Sequence, residues 1–271
     1  MKYLKEQMND LPNELASNIE EIKILDTVSR HEVMAILKLK RDKHLQYRKA
    51  MEEFLESSKN LHSVYTEYKG KYHFAAGEQT IKDIFNNFKF ALSPYSPIKN
   101  KEQDKLYKKI AASCPKGTTR SAIIIDTHSG LLPVHVSHLY NRIYGLEEFK
   151  PQYLDSKNNL FINKKNNCLM FNSDSEKWLK EFSEHKYTSP GKKNRLGMAI
   201  INPALLTKKA LNNLAELKPE TVMLVTTDYQ LAQITKEALQ KHDFDTMEEF
   251  ELAGFRVVKM KWRGNESTEI I

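Results

Sequence analysis

Three acids could do chemistry in this chain, because each stands at or just past the end of a short, largely apolar run. Asp126 follows AIII (Ala122 to Ile125), Glu147 follows RIYGL (Arg142 to Leu146), and Asp174 comes just after NCLMF (Asn167 to Phe171). Wholly apolar runs of four or five residues read as strands buried on both faces. Acids at the ends of successive parallel strands are the arrangement a nucleoside cofactor needs. The first turn admits the ligand, the second acid accepts from ribose hydroxyls, and the third contacts the base. Each acid is equally a helix cap or turn residue on its own. Spacing alone does not choose between these readings.

Other constellations are weaker. His128, His135 and His138 lie close together, with His135 and His138 one turn apart on a helix opened by Pro133. No carboxylate or cysteine lies at ligand spacing within that helix, so no metal site is expected. Asp126 and Asp228 each follow an apolar strand, as in metal-dependent ribonucleases of the PIN type, but that reading explains no other motif. The two cysteines, Cys114 and Cys168, are too few and too far apart for a disulfide framework or a cysteine metal site.

Alternating elements must position these acids. Gln103 to Ala112 reads as an amphipathic helix with Leu106, Tyr107 and Ile110 on one face. MAII (Met198 to Ile201) and VMLV (Val222 to Val225) are two more buried strands, followed by helices Lys208 to Leu217 and Tyr229 to Gln240. Phe255 to Trp262 closes the pattern as an antiparallel edge strand. Strand and helix alternating in this way predict an α/β fold with a mostly parallel sheet. Before it, Glu32 to Leu39 reads as a strand and Leu45 to Ser57 as a helix. Ser63 to Phe74 reads as a hairpin around Gly70, and SPYSP (Ser93 to Pro97) marks the passage between the two regions.

Composition sets outer limits. The chain has 271 residues, 40% of them hydrophobic, enough for one or two packed domains. No apolar run is long enough to cross a bilayer as a helix. The polar, acidic start lacks a signal pattern, so a cytoplasmic location is expected. A net charge of +7 is mild support for a polyanionic partner. The densest basic patch is Lys99, Lys101, Lys105, Lys108 and Lys109, which suits either a solvated helix face or RNA phosphates.

Six segments resemble, in order and spacing, the RNA uracil-5-methyltransferase family. They are FALSPYSPIKNKEQDKLY (Phe90 to Tyr107), IIIDTHSGLLPVHVSHL (Ile123 to Leu139), IYGLE (Ile143 to Glu147), NKKNNCLMFNSDSEKW (Asn163 to Trp178), INPALLTKKALNNL (Ile201 to Leu214) and KPETVMLVTTDYQLA (Lys218 to Ala232). The resemblance covers roughly residues 30 to 260. It implies a Rossmann-like class I methyltransferase domain over residues 91–271, behind a shortened central α+β domain over 1–90. The N-terminal RNA-binding barrel of some members finds no room in the chain. Members use S-adenosylmethionine on tRNA or rRNA, so the implied cofactor contacts are Asp126, Gly130, Glu147 and Asp174.

The family's chemistry needs a cysteine that adds to C6 of uracil, methyl transfer to C5, and a base for the C5 proton. The nucleophile must be a thiolate, since it has to add and later leave. In this chain Thr227 stands at the cysteine's place. Asn202, Pro203, Ala204 and Leu205 replace the Asp-Pro-Pro-Arg motif that helps hold the base. Phe250 to Trp262 has no acid at the place of the catalytic glutamate, Lys99 replaces a cofactor-contacting Gln, and Leu132 replaces the second glycine of the cofactor turn. The resemblance therefore implies an RNA-binding protein that has lost uracil-C5 chemistry. Asn202, Lys101, Lys105 and Lys108 would face RNA, and a protein partner in RNA processing or ribosome assembly is expected. The alternative is an active S-adenosylmethionine-dependent RNA methyltransferase with a changed target atom, since an amine or hydroxyl needs no cysteine.

Overall fold

The computed structural model describes residues 11–27, 29–96, 101–115, 120–184 and 196–265. The chain divides into two compact units, Met1–Lys99 and Asn100–Ile271. The first holds a four-stranded sheet of β1 (Ile19–Asp26), β2 (Val33–Leu39), β3 (Leu61–Tyr68) and β4 (Lys71–Gly77), in that order. Strands β2 and β3 run parallel and the outer pairs antiparallel. Helices α1 (Asn13–Asn18) and α2 (Arg48–Ser57) cover one face through Leu15, Met51 and Phe54. The β3–β4 hairpin turns at Lys69 and Gly70, both with positive φ, the pairing a tight two-residue turn requires. A separate hairpin, β5 (Ile81–Phe85) and β6 (Phe88–Leu92), completes this unit.

The second unit carries the predicted α/β pattern. Its elements are α3 (Lys101–Ser113), β7 (Ser121–Ile125), α4 (Leu131–Val136), β8 (Arg142–Leu146), α5 (Lys150–Ile162), β9 (Cys168–Phe171), α6 (Ser175–Ser183), β10 (Leu196–Ile201), α7 (Lys208–Glu216), β11 (Thr221–Thr226), α8 (Tyr229–Gln240), β12 (Phe244–Leu252) and β13 (Phe255–Trp262). They build a seven-stranded sheet in the order β12-β13-β11-β10-β7-β8-β9. Strands β7 to β11 are parallel, while β13 runs antiparallel to β11 and to β12. Every residue of β7, β10 and β11 is buried, which is why these strands read as uninterrupted apolar runs. One face is sealed by Trp178, Leu179 and Phe182 of α6, Leu211 and Leu214 of α7, and Leu239 of α8.

One expectation needs correction. Phe255–Trp262 is a strand with the expected bounds and direction, but it is not the edge. β12 pairs along it and takes the edge position. Polar and apolar residues are interleaved along the largely exposed β12, so it offers no apolar run to read.

Candidate functional site

The chain steps outward from β7 to β8 and β9, then returns to the other side of β7 with β10 and β11. The switch point therefore lies between β7 and β10, where open α/β sheets leave a crevice at the carboxyl ends of their strands. Asp126 follows β7 and Asn202 follows β10, so the two flank this crevice. Asn202 Nδ2 donates to Asp126 Oδ2 at 2.7 Å. The Asn202 amide oxygen meanwhile accepts from Ala204 N at 3.1 Å, capping a short 3-10 turn, Pro203–Leu205.

Asp126 has a second partner. His128 Nε2 lies 3.3 Å from Asp126 Oδ2, and its Nδ1 lies 3.0 Å from the hydroxyl of Tyr107 on α3. Burial alone would raise the Asp126 pKa. The imidazolium and the hydrogen bonds from His128 and Asn202 outweigh it and hold the carboxyl below its ordinary value. Burial likewise opposes a charge on His128, but the Asp126 carboxylate overrides it and raises the imidazole. Each partner thus favours the charged form of the other.

The turn between β7 and α4 is tightly wound. Asp126, His128, Ser129 and Gly130 all have positive φ, between 49° and 84°. Three non-glycine residues in this left-handed region cost roughly 1 kcal/mol or more each, so neighbours must over-determine the turn. Thr127 does so from inside. Its N–H and hydroxyl donate to Glu147 Oε2 at 3.3 and 3.2 Å, and its hydroxyl lies 2.9 Å from Ser156 Oγ. Asn159 Nδ2 donates to the carbonyl of Ser129 at 2.9 Å. Gly130 packs so closely that an added Cβ would stand 2.9 Å from the Ser156 backbone.

Glu147 follows β8, is only 2% exposed, and turns its carboxylate inward onto Thr127. Burial, and then the nearby Asp126 charge, push its pKa up to about 7, against the pull of the Thr127 bonds. Asp174, after β9, caps α6 by accepting from Lys177 N at 2.8 Å. Asp228, after β11, caps α8 in the same way through Leu231 N at 2.9 Å, so it is not placed as a base for Thr227. Thr227 itself is exposed at the end of β11.

The cysteines lie elsewhere. Cys168 opens β9 at the amino end of the parallel strands, and burial raises its thiol to about 12. Cys114 is buried just after α3, and burial raises it to about 11. The histidines disperse: His135 is buried with Nδ1 2.7 Å from the Leu131 carbonyl, and His138 is exposed. Among the described residues no group of three or more His, Cys, Asp or Glu could hold a metal ion. Lys105, Lys108 and Lys109 share the exposed face of α3, with Lys108 Nζ 3.2 Å from Asp104 and Lys109 Nζ over the Phe250 ring at 3.8 Å. Lys99 and the side chain of Lys101 lie outside the described residues.

S-adenosylmethionine, implied by the resemblance of the sequence, would need an acid after β8 that can reach ribose hydroxyls. Glu147 has that type and place, and its carboxylate is engaged by Thr127. The Thr127 hydroxyl occupies the donor role that a ribose hydroxyl would take.

Sheet order and the switch point between β7 and β10 define a Rossmann-like α/β fold. Solved structures of RNA-modifying enzymes share it. The Pyrococcus abyssi tRNA (uracil-54, C5)-methyltransferase, in complex with S-adenosyl-L-homocysteine, matches with a TM-score of 0.68 and 14% identity, over 94% of this chain and 65% of that one. This chain therefore spans just under two thirds of that enzyme's length. P. horikoshii TYW2 in complex with MeSAdo matches with a TM-score of 0.56 and 12% identity, over 96% of this chain and 98% of that one. A complex of aTrm5 with tRNALeu matches with a TM-score of 0.56 and 14% identity, over 94% and 76%. No protein-family model matches the chain, and no curated protein matches its sequence.

Proposed function

We propose that this chain is an RNA-binding protein, engaging tRNA or rRNA, on a methyltransferase fold from which uracil-C5 methylation is gone. One observation carries the reading: among the described residues no thiol stands at the carboxyl ends of the strands. Thr227 occupies the end of β11, and both cysteines are buried or half-buried elsewhere with thiols pushed to about 11 and 12. A threonine hydroxyl without a base does not add to a pyrimidine ring at neutral pH. The exposed lysines of α3 and the net charge of +7 support RNA as the ligand. Two cysteines, both free, suit the cytoplasm, where this reading puts the protein.

The second reading is an active methyltransferase with a changed target atom. The Gly130 turn and Glu147 favour it, because a tightly wound turn after β7 and an acid after β8 are what a nucleoside ligand would need. Glu147 and Asp174 would hold the ribose and base of S-adenosylmethionine, whose sulfonium supplies a methyl group to an amine or hydroxyl. Calorimetric titration with S-adenosylmethionine separates the readings, run on the wild type and on Glu147→Ala. Micromolar binding lost in the variant, with tritiated methyl passing to total RNA, would establish the second reading. Salt-dependent RNA binding without methyl transfer is the result expected from the first.

A further inference from the structure

Helix α5 is inside out. Its buried side is largely polar, since Ser156 and Asn159 face inward to bond Thr127 and the Ser129 carbonyl, with Leu160 the apolar residue beside them. Its outer side carries Leu154, 54% exposed, and Phe161, 83% exposed, two helical turns apart on one stripe. Ile162 widens the stripe, and Leu169 on the adjoining edge strand β9 is 40% exposed. A surface helix ordinarily buries such residues and leaves its polar ones in water. The polar inner face has a structural task, holding the turn at 127–130, but that task does not require large apolar groups outside. Exposed apolar clusters of this kind mark interaction surfaces.

Charge selects the occupant. Lys150, Lys157 and Lys164 are exposed along the same helix and its C-terminal turn, with Lys157 Nζ 5.6 Å from the Tyr153 ring. Glu148 is exposed and Asp155 half-buried, leaving the surface net positive. A second copy would bring like charge onto like charge. RNA would meet the lysines and could stack on Phe161, but would gain little from the aliphatic Leu154, Ile162 and Leu169, which make up the rest of the surface and offer no flat face. We propose that the outer face of α5 docks a protein partner whose apolar residues are ringed by carboxylates, most simply an acidic amphipathic helix.

The probe is a helical peptide with leucines along one stripe and glutamates beside them, compared with its lysine counterpart by fluorescence anisotropy on the full chain. The glutamate peptide should bind at least about tenfold more tightly than the lysine one, and Phe161→Ala or Leu154→Ala should each weaken it several-fold. Both side chains are largely exposed, so circular dichroism and Tm of the variants should match the wild type. Equal binding of the two peptides, no binding at about 1 mM, or unchanged affinity in both variants would overturn the proposal. So would a concentration-dependent dimer lost in Phe161→Ala, which would assign the face to a second copy. An RNA affinity for total tRNA that falls about tenfold in Phe161→Ala would overturn it in favour of RNA.

Discussion

Replacing Glu147 by Gln removes a charge that folding must bury and keeps the side chain's shape. The Glu147 pKa rises on folding from 4.5 to about 7. At about 1.4 kcal/mol per pKa unit, the ionised carboxylate costs about 3 kcal/mol of stability. A raised folded pKa fixes the sign: the stability is fully present below pH 4.5 and is lost as pH rises through about 7. The Glu147→Gln side chain stays neutral at every pH, and its amide oxygen can still accept from the N–H and hydroxyl of Thr127. Both tryptophans, Trp178 and Trp262, lie in the second unit, so intrinsic fluorescence reports its unfolding selectively. Urea titrations between about pH 4 and 9 should show matching stabilities at the acid end. Above pH 7 the variant should lead by up to about 3 kcal/mol. His128 titrates in both proteins, so its contribution largely cancels in the difference. A difference that stays constant from pH 4.5 to pH 8, or a variant less stable at pH 8, would refute the buried-carboxylate reasoning.

Other perturbations follow from the same geometry. Gly130→Ala places a Cβ 2.9 Å from the Ser156 backbone at a φ of +84°, and should cost about 2 kcal/mol or more in the same urea assay. Asp126→Asn strips the buried His128 of its counter-charge and should cost about 3 kcal/mol near pH 6. The raised His128 pKa gives stability present below about 6.5 and lost as pH rises through its folded value. The depressed Asp126 pKa gives stability present above about 4 and lost as pH falls through its folded value. In the Asn variant the Asp126 dependence should vanish. The His128 dependence should reverse, since burial then lowers the imidazole without the carboxylate to oppose it. A cost identical at pH 6 and pH 9 would contradict the ion pair. Reversing Lys105 and Lys108 to Glu should flatten the slope of log K against log salt for tRNA by about two phosphates' worth, and an unchanged slope would move the RNA surface elsewhere.

The parallel strands β7, β8, β10 and β11 were legible because both their faces are buried. AIII, RIYGL and VMLV read directly from composition, and α8 and β13 have the expected bounds. β12 was illegible for the opposite reason. Its pairing is expressed in cross-strand registers such as Glu248 with Lys259 and Glu251 with Arg256, which no local pattern reveals. At the site, the types and places of the acids could be read but not their directions. Thr127 lies 20 residues from Glu147 in sequence, and Asn202 lies 76 from Asp126. Such partnerships depend on which strands become neighbours. Tyr107 and Ser156 were missed as site residues because each looks like ordinary helix filling. His128 was visible only as one of three histidines, although Asp126 stood two positions before it.

The directions of these side chains change what a retained acid means. Asp126 joins β10 to α3 through Asn202, His128 and Tyr107, while Glu147 joins the β7 turn to β8 through Thr127. Each acid thus satisfies buried donors that would otherwise go unpaired, at about 1–3 kcal/mol apiece. Stability alone is enough to keep Asp126, even in a chain that transfers no methyl group, whereas the ionised Glu147 carboxylate costs stability above about pH 7. Thr227 carries no such structural duty, being exposed at the end of β11. On the proposed reading, a threonine in place of the family's cysteine bears more heavily on catalysis than the presence of Asp126 bears on the cofactor. Both Thr127 bonds fall on Oε2 of a carboxyl that is half protonated near pH 7, so on the methyltransferase reading a ribose would compete with Thr127 or turn to Oε1. Cofactor affinity would then follow that competition, and the titration of Glu147 is where it is read.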